Sequence, residues 1–517
     1  MSIRLQICSI IFIILSHEAI AIAADVSANH GLDDLINRVG IDNAPTGASV
    51  EVGHVEASGS SGEYSPDVDN EEFVGKTFLF QSGTTSISNH ATQVGKRVYG
   101  IGNTGMAPGV NLIYMYSAGG WATSNYLHVG TGSNPSIPPG ELALFNNSWI
   151  ATFGSDATDN QALRRADWSI DSHDVIMLNG VANTEEHSPL MAFGFNCISV
   201  GTESGNHVSD PVPSGFDLPG REIPLIVASQ NTTSNATGVV SAATSLLIET
   251  AKTHPNTAGN FFARLSETTK AVLLTGAVHF EGWTNNPETS GANRGRTTQP
   301  VDAIVGVGTV NIDRSHRVMT GGQHASSTTI AGLQTAPSAA WETTTLLSNQ
   351  SRYVKIEVPS LAHEVSVVLT WHQKANADFG SYTIFNYDLE LLKWQNGKLV
   401  PLTGKGGIGV FGSGNVVSES SVDNVEHLHI RNLLPGEYVL KIDRVDSSSG
   451  ASVFSIGWLF PEDEGVLGDI TGDGVIDVSD ILALIGNWGP CKSDCPADLN
   501  DDGVVGVSDI LLLLSYW

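Results

Sequence analysis

The sequence predicts an α/β fold with a mostly parallel sheet and helices on both faces, followed by an all-β sandwich and a small α-helical module. Three observations predict it. Between about residues 45 and 320, short apolar runs alternate with helical stretches, the pattern of strand–helix–strand units. From Tyr353 the apolar period shortens to two, with turn signals between runs. Near the end, an acidic loop followed by an apolar helix occurs twice.

The chain starts with an export signal. Arg4 precedes an apolar run, Ile7 to Leu15, and small residues follow at Ala19, Ala21, Ala23 and Ala24. This is the layout of a signal peptide over residues 1–24, with cleavage between Ala21 and Asp25. The run is too short to span a bilayer and no other stretch is long enough. The mature chain is therefore expected to be secreted, extracellular or associated with the cell envelope. With 25 Lys+Arg against 54 Asp+Glu the net charge is −29, which argues against nucleic acid or anionic membrane as the main partner. Of the four cysteines, Cys8 leaves with the signal and Cys197, in an apolar run, reads as a buried thiol. Cys491 and Cys495 form a local disulfide or stay free, and no second pair completes a zinc site.

The first unit is organised around Ile226 to Lys252. An apolar approach meets a polar corner at Asn231–Ser234, and a helix follows with Val240, Ala243 and Leu247 on one face, widened by Val239 and Leu246. Ser234 thus opens a buried helix, where unpaired N–H groups and the dipole favour negative charge. A nucleophile that generates an oxyanion gains from that position. The plainer reading is that Thr233 or Ser234 only caps the helix.

Upstream, Gly47 to Ser58 alternates as a strand and delivers Glu56 near its C-terminal end, as a solvated side chain or as an acid; Asp67 and Asp69 lie further into the next loop. His90 stands at a helix start in Ser88–Gly100, and Ala107-Pro108-Gly109-Val110 follows. Leu144 to Trp149 is another strand end. Asp174 to Gly180 is an apolar strand closing on Asn179-Gly180, and Asn183 follows four residues on. Asn-Gly is also a strong turn signal, so Asn179 has a structural reading as well.

In this order the blocks resemble those of subtilisin-like serine peptidases. Thr232 to Ala243 resembles the family's GTSxAxPxVAGAA, with Thr232 for the first Gly and Gly238 for the Pro. Ser88 to Gly100 resembles HGTHVAG, with Ala91 and Gln93 for its first Gly and second His. Glu56 stands where the family has its triad Asp. The strand ends at Leu144–Trp149, Asp174–Gly180, Phe193–Gly201 and Gly306–Asn311 resemble VINxSWG, VVxAAGN, NVIxVGA and GxGxVN. The resemblance implies a serine endopeptidase over residues 25–325 acting on protein or peptide. In it Ser234 is the nucleophile, His90 the base and Glu56 its orienting acid. Asn179, with Asn183 as the second choice, completes the oxyanion hole, and Ser148 and Trp149 lie along the substrate.

Residues 345–461 read as the sandwich, with Val365, Val367, Leu369 and Trp371 alternating and further runs at Tyr387–Leu391, Glu426–Ile430 and Tyr438–Ile442. It resembles the C-terminal β-sandwich of many secreted subtilisin-like enzymes. Residues 466–517 hold the repeat. Asp469, Thr471, Asp473, the Val475 carbonyl and Asp480 fall at calcium-loop positions in the first copy; Asp498, Asn500, Asp502, the Val504 carbonyl and Asp509 do so in the second. Oxygen-only donors favour Ca²⁺, while the peptidase chemistry itself requires no cofactor. The pair resembles dockerin-type modules, which implies a cohesin-like or cell-envelope partner. Two rival readings remain. Worn motif glycines and Glu56 fit an inactive subtilisin-like scaffold presented by its tail. A carbohydrate-active enzyme lacks a convincing carboxylate pair.

Overall fold

The computed structural model describes residues 26–515 apart from 281, 406–409, 461–467, 469, 472–475, 491–494, 496 and 501–502. The expected signal peptide and Cys491 lie outside the described residues. Seven strands form the first sheet: β1 (Glu51–Glu56), β2 (Thr77–Phe80), β3 (Leu112–Ser117), β4 (Leu142–Asn147), β5 (Ile176–Gly180), β6 (Ile198–Thr202) and β7 (Ile226–Ala228). Their order is β2-β3-β1-β4-β5-β6-β7 and every pairing is parallel. The helices are α1 (Leu32–Val39), α2 (Asn89–Tyr99), α3 (Asp156–His173), α4 (Thr233–Thr253), α5 (Ser266–Thr275) and α6 (Ile312–Gly321).

Alternation along the strands builds two cores. Val52, Ile113, Met115, Leu144, Ile176 and Leu178 face one way, against Val94 and Val98 of α2 and Val239, Val240 and Leu246 of α4. Val55, Tyr114, Tyr116, Phe145 and Met177 face the other way, against Ala162, Ala166 and Ile170 of α3. Each Val or Leu so buried stabilises by about 1.5–3 kcal/mol relative to exposure. The predicted mostly parallel sheet with helices on both faces is the observed one.

α4 is buried along most of its length although it is rich in Ser and Thr. Its hydroxyls satisfy themselves by donating one turn back: Thr237 to Thr233 O at 2.8 Å, Thr244 to Val240 O at 2.7 Å and Ser245 to Ser241 O at 2.9 Å. Gly238 explains how α2 comes so close, since a Cβ there would stand 2.9 Å from Arg97 Cβ and 3.3 Å from Val94 O. β1 has β3 on one side and β4 on the other, so the C-terminal ends of β1 and β4 flank the point where the chain order reverses. Open α/β sheets present their ligand crevice there.

The second unit is a sandwich of a five-stranded and a seven-stranded sheet, closed on Trp371, Tyr387, Phe454 and Trp458. Val365, Val367, Leu369 and Trp371 all point into its core. The Asn396-Gly397 corner has φ of 52° and 74°, the two left-handed residues of a type I′ hairpin. Composition alone does not mark where the sandwich begins. Arg296–Thr297, from within the span read as the first unit, pairs in parallel with Val417–Ser418, and the strand Ala339–Leu346 begins before residue 345. In the tail, α7 (Val478–Gly486) and α8 (Val507–Ser515) share a small core of Leu484, Ala497, Val505 and Leu513.

The two large units share apolar packing, with Trp341, Val368, Val425 and Leu459 of the sandwich in the first unit's core, and are pinned by polar contacts. Asn196 Nδ2 donates to Gln373 O at 3.0 Å, while Gln373 N donates to Asn196 Oδ1 at 2.9 Å. Tyr382 OH donates to Asp167 at 2.7 Å. His372 projects from the sandwich between Glu267 of α5, at 3.3 Å, and Asp171 of α3, at 3.6 Å. Its burial would lower its pKa, but the two carboxylates outweigh burial and raise it above the ordinary histidine value. A raised folded-state pKa contributes stability that is complete below the unfolded value, about 6.5, and is lost as pH rises through the folded value. Thermal melts of the wild type and His372→Gln should therefore differ most below about pH 6.5 and converge as the pH rises through the folded-state value. A gap that is constant or widens with pH contradicts a charged His372 clamp.

Candidate active site

Glu56 is the last residue of β1 and is 2% exposed. Ser88 caps α2 by accepting from Ala91 N at 3.1 Å, which fixes the helix start and places His90 over the end of β1. His90 Nδ1 donates to Glu56 Oε1 at 2.7 Å, and the His90 side chain remains 47% exposed. With Nδ1 engaged, Nε2 is the nitrogen left to accept a proton. Ser88 Oγ also approaches Glu56 Oε1, at 3.4 Å.

The charges support the pairing. Burial alone would push the Glu56 carboxyl up, but interaction with His54 and His90 outweighs it and holds the group below the usual glutamate value. The Glu56 hydrogen bond, against partial burial, lifts the His90 imidazole above its ordinary value. Asp67 and Asp69 take no part in this bond; the Asp67 backbone N–H instead donates to Thr92 Oγ1 at 2.8 Å.

Across the cleft, Thr232 caps α4 by accepting from Asn235 N at 3.3 Å. Ser234 is therefore in the first turn, not at the cap, and its N–H has no intrahelical acceptor. Its Oγ donates to Ser148 O at 3.4 Å, while Ser148 Oγ donates to Ser234 O at 3.0 Å. This reciprocal pair ties the end of β4 to the start of α4. Glu56, His90, Ser148, Trp149, Asn183, Thr233 and Ser234 all line one cleft of about 610 Å³.

Asn179 does not reach it. It is fully buried, its Nδ2 donates to Met191 O at 2.7 Å and its Oδ1 accepts from Asn147 at 2.8 Å. Its amide holds β5 to β4 and to the next loop. Asn183, the alternative from the sequence, lines the cleft instead. Its Oδ1 accepts from Thr233 N at 2.9 Å and Thr233 Oγ1 at 3.2 Å, which orients the Nδ2 donors by elimination. Trp149 is buried against Trp121 and donates to Asn147 Oδ1 at 3.0 Å, so it forms the wall of the cleft. One residue escaped the sequence reading: His54, whose signal is its position two before Glu56 on the same strand face.

Compared by sequence, no protein-family model and no curated protein matches the chain. Among solved structures it is similar to the prenylagaramide maturation protease PagA, at 16% identity over 55% of this chain and 98% of that one, TM-score 0.34. It is likewise similar to the PatG macrocyclase in complex with peptide, at 15% identity over 56% and 95%, TM-score 0.34. A third is the Aeromonas sobria serine protease in complex with its chaperone, at 11% identity over 80% and 89%, TM-score 0.30. Likeness at this level carries no argument, and the site stands on its own geometry.

Two clusters among the described residues bring three metal-binding donors within 4.8 Å of one another: His279, Glu364, His429 and Asp171, Glu267, His372. In the first, the His279 and His429 rings stack at 3.9 Å and 17°, so their in-plane lone pairs run side by side, and Arg314 already sits on Glu364 at 2.6 Å. In the second, Asp171 and Glu267 raise the His372 imidazole above its ordinary value, and Lys270 and Lys374 add positive charge nearby. In the tail, Asp469, Asp473, Val475 and Asp502 lie outside the described residues. Asp480 Oδ1 accepts from Thr471 N at 2.9 Å, and Asp509 Oδ1 accepts from Asn500 N at 3.3 Å. The two copies thus fold the twelfth-position carboxylate over the start of its loop in the same way. Asp498 Oδ2 accepts from Gly503 N at 2.8 Å, folding the second loop around its first carboxylate. Val504 opens a short strand that pairs with Pro490. Cys495 is disulfide-bonded and Cys197 is a buried free thiol. No helix among the described residues is long and apolar enough to cross a membrane.

Proposed function

We propose that the chain is a secreted serine endopeptidase of the subtilisin-like kind. The observation that carries this reading is the 2.7 Å Glu56–His90 bond in the same cleft as a serine in the first turn of a buried helix. Ser234 Oγ attacks the substrate carbonyl and passes its proton to His90 Nε2, which returns it to the leaving amine. Glu56 holds the Nδ1–H tautomer and stabilises the imidazolium. The Ser234 N–H and Asn183 Nδ2 receive the oxyanion, a role that passes from Asn179 because the latter's amide is spent in the core. The backbone beside Ser148 and Trp149 lies along an extended peptide.

A second reading is the inactive scaffold, favoured by Ser234 Oγ donating to Ser148 O and by Glu in the acid position. Catalytic hydrogen bonds often tighten only with substrate bound, so the peptidase reading stands first. Treating the full chain with a fluorophosphonate should label Ser234, and His90→Ala should abolish the labelling. Folded wild-type protein that takes no label at Ser234 rejects the peptidase in favour of the scaffold.

The tail is read as a dockerin-type module holding two Ca²⁺. Asp469, Thr471, Asp473, the Val475 carbonyl and Asp480 would bind one ion. Asp498, Asn500, Asp502, the Val504 carbonyl and Asp509 would bind the other. What supports this is the matched fold of Asp480 and Asp509, two fully buried carboxylates on repeated acidic loops. The ions would offset carboxylate repulsion and take no part in the chemistry at Ser234. Leu482, Ile485, Leu511 and Leu514 on its helices are exposed, a surface suited to a cohesin-like or cell-envelope protein. Calorimetry on the chelator-stripped full chain should give two Ca²⁺ per chain, one with Asp480→Ala and one with Asp509→Ala. A chain that takes up no Ca²⁺ rejects the module.

A further inference from the structure

The first strand carries a second histidine that the proposed mechanism does not use. His54 and Glu56 are two apart on β1 and so share one face of the sheet. His54 is fully buried beneath α2. Its Nδ1 lies 2.9 Å from the hydroxyl of Tyr99, itself buried at the end of α2. Its Nε2 faces Glu56 Oε2 at 3.7 Å. Both of those atoms are buried without a hydrogen bond, and each has the other across the gap.

We infer that His54 is a positioning residue for the Glu56–His90 pair, holding the second carboxylate oxygen so that the first stays on His90. This rests on the peptidase reading of the cleft. The network fixes the tautomers. A carboxylate only accepts, so the nitrogen facing it carries the proton, and His54 is the Nε2–H form. Nδ1 then accepts, and Tyr99 O–H donates to it. Two donations flank a facing pair: Tyr99 donates to His54, His90 donates to Glu56 Oε1 from the other side, and between them the His54 Nε2–H faces Glu56 Oε2 across 3.7 Å. The titratable groups facing Glu56 are His54 and His90, with Tyr99 behind His54.

The Glu-for-Asp substitution gives this arrangement a physical reason. Glutamate has one more rotatable bond than aspartate, and an oxygen left unpaired in a buried site costs about 1–3 kcal/mol. A carboxylate bonded to His90 alone could swing about that bond. A second donor on its far oxygen removes the freedom, and burial of His54 under Tyr99 keeps that donor in place.

The test compares His54→Leu, which removes the donor at similar size, with His54→Gln, whose amide N–H reaches the same place. Peptide hydrolysis by the full chain should lose about tenfold in kcat with His54→Leu, at unchanged KM, and His54→Gln should restore most of it. Removing a donor from the carboxylate raises the proton affinity of the Glu56–His90 pair. The acid limb of the kcat/KM profile, and the His90 imidazole titration followed by NMR, should therefore move to higher pH in His54→Leu and return with His54→Gln. Tyr99→Phe should move both the same way by less. The NMR titration, run in Ser234→Ala, reads the coupling even if the chain cleaves nothing, so failure of the peptidase reading and failure of this one are separable. A His90 titration that stays in place or moves down in folded His54→Leu, or that His54→Gln does not return, overturns the positioning role. If His54→Leu does not fold, the His54→Gln and Tyr99→Phe titrations decide alone: wild-type behaviour in Tyr99→Phe then overturns it.

Discussion

A single hydrogen bond, from His90 to Glu56 at 2.7 Å, gives the cleft its chemical character. It needs two elements that are distant in sequence to end at the same place. β1 must stop with its last side chain turned to the helix face, and α2 must begin there, which the Ser88 cap ensures. The bond in turn needs burial. A carboxylate in water pairs only weakly, whereas Glu56 is enclosed and charged because histidines surround it.

The other half of the site depends on α4. A helix this buried could not carry so many hydroxyl side chains unless they bonded to its own carbonyls, and they do. Its first turn faces the end of β4, and the reciprocal bonds between Ser148 and Ser234 hold the two together. Gly238 completes the arrangement by letting α2 lie against α4, so the helices bearing His90 and Ser234 approach closely. Packing in the core and geometry in the cleft are one constraint. The sandwich adds to this from the outside, gripping α3 and α5 through His372 and Tyr382 and the segment before β6 through Gln373.

Much of this was legible in the sequence, and the reasons are physical. Apolar alternation forces β1 and β3 to β6 into a sheet, and period two from Val365 to Trp371 forces the sandwich strand. Glu56, His90 and Ser234 stand at strand ends and helix starts, where an α/β sheet binds, but it is the resemblance to subtilisin-like blocks that singles them out. Asn179 misled because an Asn at a strand end reads alike whether its amide faces a cleft or a neighbouring strand. Only the tertiary contacts with Asn147 and Met191 decide it. The cap of α4 was placed one or two residues late, since Thr232, Thr233 and Ser234 can all cap and only geometry selects Thr232. His54 and Tyr99 were invisible as a pair because they lie on different elements, 45 residues apart. Nor does composition show that Arg296–Thr297 joins the sandwich, because a two-residue edge strand leaves no periodicity to read.

Glu56, His90 and Ser234 are proposed above to form a working acyl-transfer centre. The most direct measurement is the rate at which the full chain cleaves an unfolded protein, compared between the wild type and Ser234→Ala of equal thermal stability. The wild type should cleave it, with a loss of about 10⁴-fold or more in the variant. Cleavage that survives Ser234→Ala undiminished would contradict it.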